Sequence, residues 1–215
     1  PNMNLPSDIS IAGQKLRKGL NQVGLGVKTG IDLPNETSGQ IEPLNNNPGN
    51  YLDLAIGQYD TYTPLQLSQY VSTIANNGYR IQPHIGLQIH DATNKDSLGP
   101  VKHKVKGNVL NRVNNTQDQI DQVQEGFDMA FNEEEGTGYE SFNDTTVPSA
   151  GKTGTAEVFQ DGKPKVNSTY IGYAPIKDPQ LAFSIVYTNQ PVPEPWLNGG
   201  DVGRDVIDYY FKNKK

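Results

Sequence analysis

Apolar residues recur every three or four positions in four stretches of the chain, and this spacing is typical of amphipathic helices. The first stretch covers residues 7–23 and ends at Gly24-Leu25-Gly26, where a glycine can adopt the left-handed conformation that caps a helix. The second begins at Thr63-Pro64, because threonine is a good N-cap and proline fits the first helical turn. The third and fourth stretches cover residues 116–132 and about 201–212. The pattern therefore predicts four helices.

Alternating apolar and polar residues predict strands in other parts of the chain. Residues 85–89 alternate in this way and predict one half-buried strand. Three longer candidates lie near 150–159, 166–174 and 181–188, and Asp161-Gly162 between the first two is typical of a tight hairpin turn. Strands followed by a terminal helix predict an α+β fold, with an antiparallel sheet covered by helices.

Residues 27–57 are rich in glycine, proline and asparagine, so we expect mostly loop there with short ordered pieces. Lys102, Lys104 and Lys106 alternate along the chain and predict a solvated strand face rather than a phosphate-binding patch. Gly136-Thr137-Gly138 lacks the strand-then-helix setting of a nucleotide-binding loop. None of these segments predicts a nucleotide or phosphate site.

Composition and charge exclude several classes of function. The 215 residues include 24 acidic and 18 basic side chains, for a net charge of −6, which argues against nucleic acid as a partner. The chain contains no cysteine, so disulfides and thiolate zinc sites are excluded, and its three histidines have no ligand spacing. No apolar run approaches the roughly 20 residues of a membrane helix. We expect no metal and no cofactor.

The strongest candidate for chemistry is Lys152-Thr153-Gly154-Thr155, on the first of the three C-terminal strands. The lysine supplies a cation, and the hydroxyls of Thr153 and Thr155 can bind a carboxylate that the lysine also attracts. Gly154 lets a ligand approach the backbone closely. An edge-strand N–H such as that of Thr155 can point at a developing oxyanion, which is typically worth about 3 kcal/mol. On these grounds alone an ordinary strand is the simpler interpretation.

The longer stretch from Gly151 to Glu157 resembles the Lys-Thr-Gly signature of the penicillin-recognising serine enzymes. It has the form typical of class B penicillin-binding proteins, in which Thr-Ala-Glu or Thr-Ala-Gln follows. Other segments similar to that family occur in the family's order, at residues 24–36, 57–58, 62–67, 74–78 and 172–175. The resemblance spans nearly the whole chain and is closest to the Gram-positive type. It implies the C-terminal part of the penicillin-recognising serine transpeptidase/β-lactamase-like fold.

The resemblance also implies a role for each residue of the motif. Lys152 and Thr155 would be catalytic: Lys152 would help proton transfer to the leaving D-alanine, and the Thr155 N–H would form half of the oxyanion hole. Thr153, Gly154, Thr155 and Glu157 would bind substrate. The two threonines would hold the carboxylate of a D-Ala-D-Ala stem peptide or of a β-lactam, and Gly154 would give clearance. Glu157 would tune substrate fit, and a merely solvent-exposed glutamate is the alternative.

The family's nucleophile lies in a Ser-x-x-Lys motif that is followed by a Ser-x-Asn loop, and we expect both to be absent from this chain. Ser149-Ala150-Gly151-Lys152 lies on a predicted strand, where residues three apart face opposite sides. Ser141-Phe142-Asn143 comes directly before that strand, and Lys28-Thr29-Gly30 is a non-catalytic copy in a loop. Residues 1–215 are therefore expected to be the C-terminal portion of one transpeptidase domain, with the nucleophile upstream of Pro1 and no reactivity alone.

The parent protein is then expected to be a D,D-transpeptidase at the extracytoplasmic face of the bacterial membrane, with an anchor upstream. Its serine would release the terminal D-alanine and pass the acyl group to an amine of a neighbouring stem peptide. The expected partners are peptidoglycan stem peptide, β-lactams and the missing N-terminal half of the domain. Two alternatives remain open: a D,D-carboxypeptidase or serine β-lactamase, in which water takes the acyl group, and a non-catalytic β-lactam sensor or cell-wall-binding module.

Overall fold

A computed structural model describes residues 5–44, 47–94, 96–192 and 198–214, which form six helices and seven strands. The helices are α1 (Leu5–Gln22), α2 (Pro48–Ala55), α3 (Pro64–Ala75), α4 (Gln117–Asn132), α5 (Tyr139–Phe142) and α6 (Gly199–Asn213). The strands are β1 (Tyr79–Ile81), β2 (Gln88–His90), β3 (Val101–Lys104), β4 (Val109–Arg112), β5 (Ala150–Gln160), β6 (Lys163–Ala174) and β7 (Leu181–Pro191). The four predicted helices are all present.

Helix α3 begins where its sequence predicts. The Thr63 hydroxyl accepts a hydrogen bond from the Gln66 N–H at 3.2 Å, and the Gln66 side chain accepts one from the Thr63 N–H at 2.8 Å. This reciprocal capping box satisfies two backbone donors that a helix start otherwise leaves without partners. Pro64 occupies the first helical turn. The cap therefore fixes the start of the helix that packs on the main sheet.

The main sheet is antiparallel, in the order β5-β6-β7. Strands β5 and β6 pair residue by residue from Ala150 opposite Tyr173 to Gln160 opposite Lys163. Asp161 and Gly162 join them, both with positive φ (52° and 71°), as a type I′ hairpin turn requires. The three predicted C-terminal strands and the predicted hairpin are confirmed, and each strand is longer than its pattern indicated.

Helices cover both faces of this sheet, as the α+β prediction requires. One face packs against α3 and α4, and the buried residues of this cluster are Val71, Ile74, Ala75, Phe127, Ala150, Ile171 and Tyr173. The opposite face packs against α5 and α6, and its buried residues are Phe131, Phe142, Ala174, Phe183 and Ile207. Helix α4 contributes to both clusters, because it lies beside the edge strand β5.

The buried face of α6 does not include its two valines. Val202 and Val206 are 41% and 40% exposed, whereas Gly203 and Ile207 are buried. A Cβ atom at Gly203 would lie 2.8 Å from the Phe142 ring of α5 and 3.1 Å from the Phe183 ring of β7, so the glycine lets the helix approach both closely. The side that carries Gly203 and Ile207 therefore packs on α5 and the sheet, and the valines lie on the outer side of the helix.

The strand predicted over 85–89 is the least accurate part of the sequence interpretation. The observed strand, β2, is Gln88–His90, and Ile89 is 57% exposed rather than half-buried. The N–H groups of Ile85 and Gly86 donate instead to the two carboxylate oxygens of Asp32, at 2.7 and 2.9 Å. These bonds lower the pKa of Asp32 and attach the base of the β2–β3 hairpin to the loop that follows α1.

Short elements account for most of the remaining differences. Helix α2 is one of the short ordered pieces expected within residues 27–57, whereas β1, β4 and α5 were not predicted because they have too few residues to show a hydrophobic period. Val123 has the three-to-four residue spacing of the buried Ile120 and Phe127 on α4, but it is 39% exposed. Lys102, Lys104 and Lys106 are all exposed, as predicted. None of the helices that the structure describes is long and apolar enough to cross a membrane.

Candidate active site

The sheet holds Lys152 in place through the residue that precedes it. A Cβ atom at Gly151 would lie 2.1 Å from the Ile171 carbonyl oxygen and 2.4 Å from the Phe131 ring. Phe131 is fully buried and stacks on Phe142, with ring centroids 3.9 Å apart. The strand therefore runs in close contact with a rigid aromatic pair up to Gly151, and the backbone position of Lys152 follows from that contact.

Strand alternation divides the candidate residues between two faces of β5. Lys152 and Gly154 share the face of Ala150, which packs towards α3, whereas Thr153, Thr155 and Glu157 lie on the other face. In the described part of the chain, β5 pairs with β6 alone, so it is an edge strand. Alternate N–H groups of an edge strand point away from its one neighbour, and such a group is what an oxyanion hole requires.

The ammonium of Lys152 bends back to the open edge of the strand. Its Nζ donates to the Thr153 carbonyl oxygen at 2.9 Å and to Thr137 Oγ1 at 3.4 Å, and Thr153 Oγ1 donates to Thr137 Oγ1 at 2.7 Å. The Lys152 side chain is exposed, and none of the acidic side chains in the described ranges forms an ion pair with it. The cation is therefore available to an anionic ligand.

A cleft of about 420 Å³ opens beside the strand. Its walls are residues of β5, β6, α3 and the segment around α2, among them Gly154, Thr155, Ala156, Asn167, Thr169, Leu67, Tyr70, Leu54 and Tyr62. The nearest atom to a Cβ built on Gly154 is Thr169 Cβ at 3.8 Å, so the space beside this glycine is open. Gly154 therefore faces a volume large enough for part of a peptide, and Thr155 borders it.

The structure does not bring Glu157 into this cleft. Its side chain is exposed, and the residue lies opposite Val166 on the β5–β6 ladder. Lys152 and Thr153 also lie outside the lining of the cleft, at the neighbouring edge. A larger groove of about 600 Å³ lies against the outer side of α6, and its lining includes Val202 and Val206 but no residue of β5. Of these two, the 420 Å³ cleft is the one that adjoins the Lys-Thr-Gly residues.

Ser149 and Ser141, the serines of the two segments that resemble Ser-x-x-Lys and Ser-x-Asn, are both buried. Ser149 is 0% exposed while Lys152 is exposed, so the two do not form a serine–lysine pair. Ser141 is buried in α5, where its hydroxyl accepts a hydrogen bond from Asn198 Nδ2 at 3.3 Å. Both side chains serve local packing.

The second Lys-Thr-Gly copy, Lys28-Thr29-Gly30, already holds a carboxylate, that of Glu36. Glu36 accepts hydrogen bonds from the Thr29 N–H at 2.6 Å, the Thr29 hydroxyl at 2.5 Å and the Gly30 N–H at 3.1 Å. Burial alone would raise the pKa of Glu36, but these bonds and the charge of Lys28 outweigh it, so the pKa lies below its ordinary value. This copy is filled by the chain itself.

One residue at the site was not predicted from the sequence. Thr137 contacts both Lys152 and Thr153, although it lies 15 residues before Lys152 in a loop that carries no recognised motif. Only the path of α4 along β5 brings the two segments together. Within the part of the chain that the structure describes, no three metal-binding side chains cluster.

Residues 4–202 match the model of the family described as the penicillin binding protein transpeptidase domain. The chain belongs to this family. It is 46% identical to penicillin-binding protein H of Bacillus subtilis over 86% of its length, and 41% identical to penicillin-binding protein 2A of the same organism over its whole length. It spans only 27% and 31% of those two relatives.

Structural comparison gives the same family. The solved structure of penicillin-binding protein 2B from Streptococcus pneumoniae strain R6 superposes on the whole chain with a TM-score of 0.85 and 34% identity, and the chain covers 34% of that structure. These three relatives come from Gram-positive bacteria, and the family match confirms both the resemblance inferred from Gly151 to Glu157 and the fold that it implies.

Proposed function

We propose that this chain supplies the substrate-gripping strand of a peptidoglycan D,D-transpeptidase, which works through a serine acyl-enzyme and is acylated by β-lactams. One observation carries the proposal: Lys152 to Thr155 lie on an open strand edge beside the cleft at Gly154. The Lys152 ammonium at this edge is exposed, and within the described residues it has no carboxylate partner. Membership of the transpeptidase family supports it, as do relatives that are named for binding penicillin.

Each residue of the motif has a task in this proposal. The serine attacks the carbonyl of the penultimate D-alanine, and the Thr155 N–H donates to the oxyanion that forms. Removal of one such donor typically costs about 10² to 10³ in rate. Lys152 assists proton transfer to the leaving D-alanine, and the hydroxyls of Thr153 and Thr155 bind the terminal carboxylate. An amine of a second stem peptide then takes the acyl group.

The serine and the Ser-x-Asn loop come from outside residues 1–215 in this proposal, which makes the chain one portion of a transpeptidase domain. The burial of Ser141 and Ser149 supports this, because neither hydroxyl can reach a ligand. The greater length of the relatives supports it too. We place the parent protein at the extracytoplasmic face of the membrane, where peptidoglycan is assembled, with its anchor also outside this chain.

Fluorescent penicillin tests the proposal directly. The parent protein is incubated with the probe, and the adduct is followed on denaturing gels and mapped by peptide mass. A long-lived adduct on a serine in a Ser-x-x-Lys motif, together with D-amino acid exchange on a D-Ala-D-Ala peptide, is the expected result. Rapid probe hydrolysis would indicate a β-lactamase or carboxypeptidase, and reversible binding without an adduct would indicate a sensor. Residues 1–215 alone serve as the unlabelled control.

A further inference from the structure

Thr137 lies in a tight turn that has little freedom to move. The Gly136 N–H donates to the Glu133 carbonyl at 2.7 Å, and the Gly138 N–H donates to the Ala130 carbonyl at 2.9 Å. A Cβ atom at Gly136 would lie 2.6 Å from the Ala130 oxygen, and one at Gly138 would lie 2.6 Å from the buried Phe131 ring. Both glycines are therefore packed against α4, and the residue between them is held beside β5.

The Thr137 hydroxyl occupies a junction between two residues of the motif. Its oxygen accepts hydrogen bonds from Thr153 Oγ1 at 2.7 Å and from Lys152 Nζ at 3.4 Å. A hydroxyl offers one donor and two acceptor sites, so both acceptor sites of Thr137 are in use. In this arrangement the Thr153 O–H points at Thr137. Rotation of the two hydroxyl groups is enough to turn the Thr153 O–H towards a ligand.

We propose that Thr137 is a positioning residue for the carboxylate-binding hydroxyl of Thr153; this rests on the function proposed above. When a ligand carboxylate arrives, the Thr153 O–H turns towards it, and Thr137 donates its own proton to Thr153 Oγ1. The Lys152 ammonium continues to donate to Thr137. The resulting chain runs from Lys152 through Thr137 and Thr153 to the carboxylate, and each bond polarises the next. No heavy atom has to move, so the site is preorganised.

Acylation kinetics of Thr137→Val in the parent protein test this role. Valine keeps the shape of the side chain and removes the hydroxyl. We expect the second-order rate constant for acylation by benzylpenicillin to fall about 10-fold. This is the loss expected when the Thr153 hydroxyl, which binds the ligand carboxylate, loses one hydrogen bond of about 1.4 kcal/mol. The fall should come from a higher half-saturating concentration of benzylpenicillin, with the limiting acylation rate within about threefold of wild type. The benzylpenicillin methyl ester, which lacks the carboxylate, should lose less than about twofold.

Two control variants separate positioning from general damage. Thr137→Ser restores the hydroxyl and should return the rate constant to within about threefold of wild type. Thr188→Val removes the hydroxyl of an exposed threonine on β7 and should change neither ligand's rate. Equal losses for acid and ester in Thr137→Val would assign the residue a structural role and overturn the proposal. An unchanged rate for the acid would do the same. A wild-type parent that forms no adduct at all would instead reject the proposed function.

Discussion

Gly151 and Gly154 lie three positions apart on β5, and we expect the same change to alanine to affect them differently. The change should lower stability at Gly151 and the acylation rate at Gly154. At Gly151 the new Cβ would lie 2.1 Å from the Ile171 carbonyl oxygen, where ordinary van der Waals contact begins near 3.4 Å. That oxygen belongs to the paired strand, and the Phe131 ring on the other side is fully buried, so relief requires a backbone shift of more than about 1 Å. At Gly154 the nearest atom is 3.8 Å away, in open space beside the cleft.

We therefore expect Gly151→Ala to destabilise the domain by about 3 kcal/mol, at the upper end of the usual cost of overpacking. In a folding unit of 150–250 residues that corresponds to a melting temperature about 6–12 °C lower, and a larger domain would shift by less. Gly154→Ala should leave the melting temperature within about 2 °C but slow penicillin acylation about 10- to 100-fold, because the methyl group displaces the ligand.

Calorimetry of the parent protein and the labelling rate of each variant measure both effects. Each of the two variants can refute the reasoning independently. A Gly151→Ala protein that melts within about 2 °C of wild type would show that the strand tolerates the methyl group. A Gly154→Ala protein that loses stability as Gly151→Ala does would show that the open side of the strand is occupied in the parent.

Three further predictions concern the sequence strings that resemble one another. Lys152→Ala in the parent should slow fluorescent penicillin labelling by at least about 100-fold, whereas Lys28→Ala should change it less than about twofold; equal effects would mean that the copies were assigned the wrong way round. Ser149→Ala should still be labelled, since that hydroxyl is buried, and loss of the adduct from a folded protein would make it the nucleophile. Glu36→Gln should lower the melting temperature at pH 7, because the ionised carboxylate stabilises the folded state and its pKa is lowered there. The difference in melting temperature between wild type and variant should become smaller as the pH falls below about 4.5, since protonation of Glu36 removes this stabilisation. A difference that stays constant across this pH range contradicts the carboxylate role.

Local chemistry explains which elements could be predicted from the sequence. Thr63-Pro64 starts a helix because a capping hydroxyl and a ring without an N–H are both properties of the residues themselves. Asp161-Gly162 makes a hairpin for the same kind of reason, since both residues accept positive φ. Lys152 to Thr155 could be placed on the right strand because the Asp161-Gly162 turn marks where that strand ends.

Tertiary packing decides what the sequence could not show. The choice between two faces of α6 depends on how closely Gly203 lets the helix approach Phe142, which no periodicity encodes. The contact of Thr137 with Thr153 depends on α4 lying along β5. The cleft depends on α2 and the surrounding loop standing opposite Gly154. Each feature joins segments far apart in the chain, so it appears only when the fold brings them together.

The two Lys-Thr-Gly copies show why a motif needs its surroundings to acquire a function. In the loop copy, the hydroxyl and N–H of Thr29 and the N–H of Gly30 bind a carboxylate, so this tripeptide has the chemistry to hold one. Because Glu36 from six residues along the chain fills that position, the copy can only stabilise the loop. In the strand copy, Lys152 and Thr153 offer the same residue types at an open edge, and their described partners are Thr137 and a backbone carbonyl rather than a carboxylate. The Thr153 hydroxyl donates to a neutral oxygen, and donating to a ligand carboxylate instead would give it a charge-assisted hydrogen bond, which is about twice as strong as a neutral one. The strand copy is thus the one of the two that is able to bind the carboxylate of a ligand.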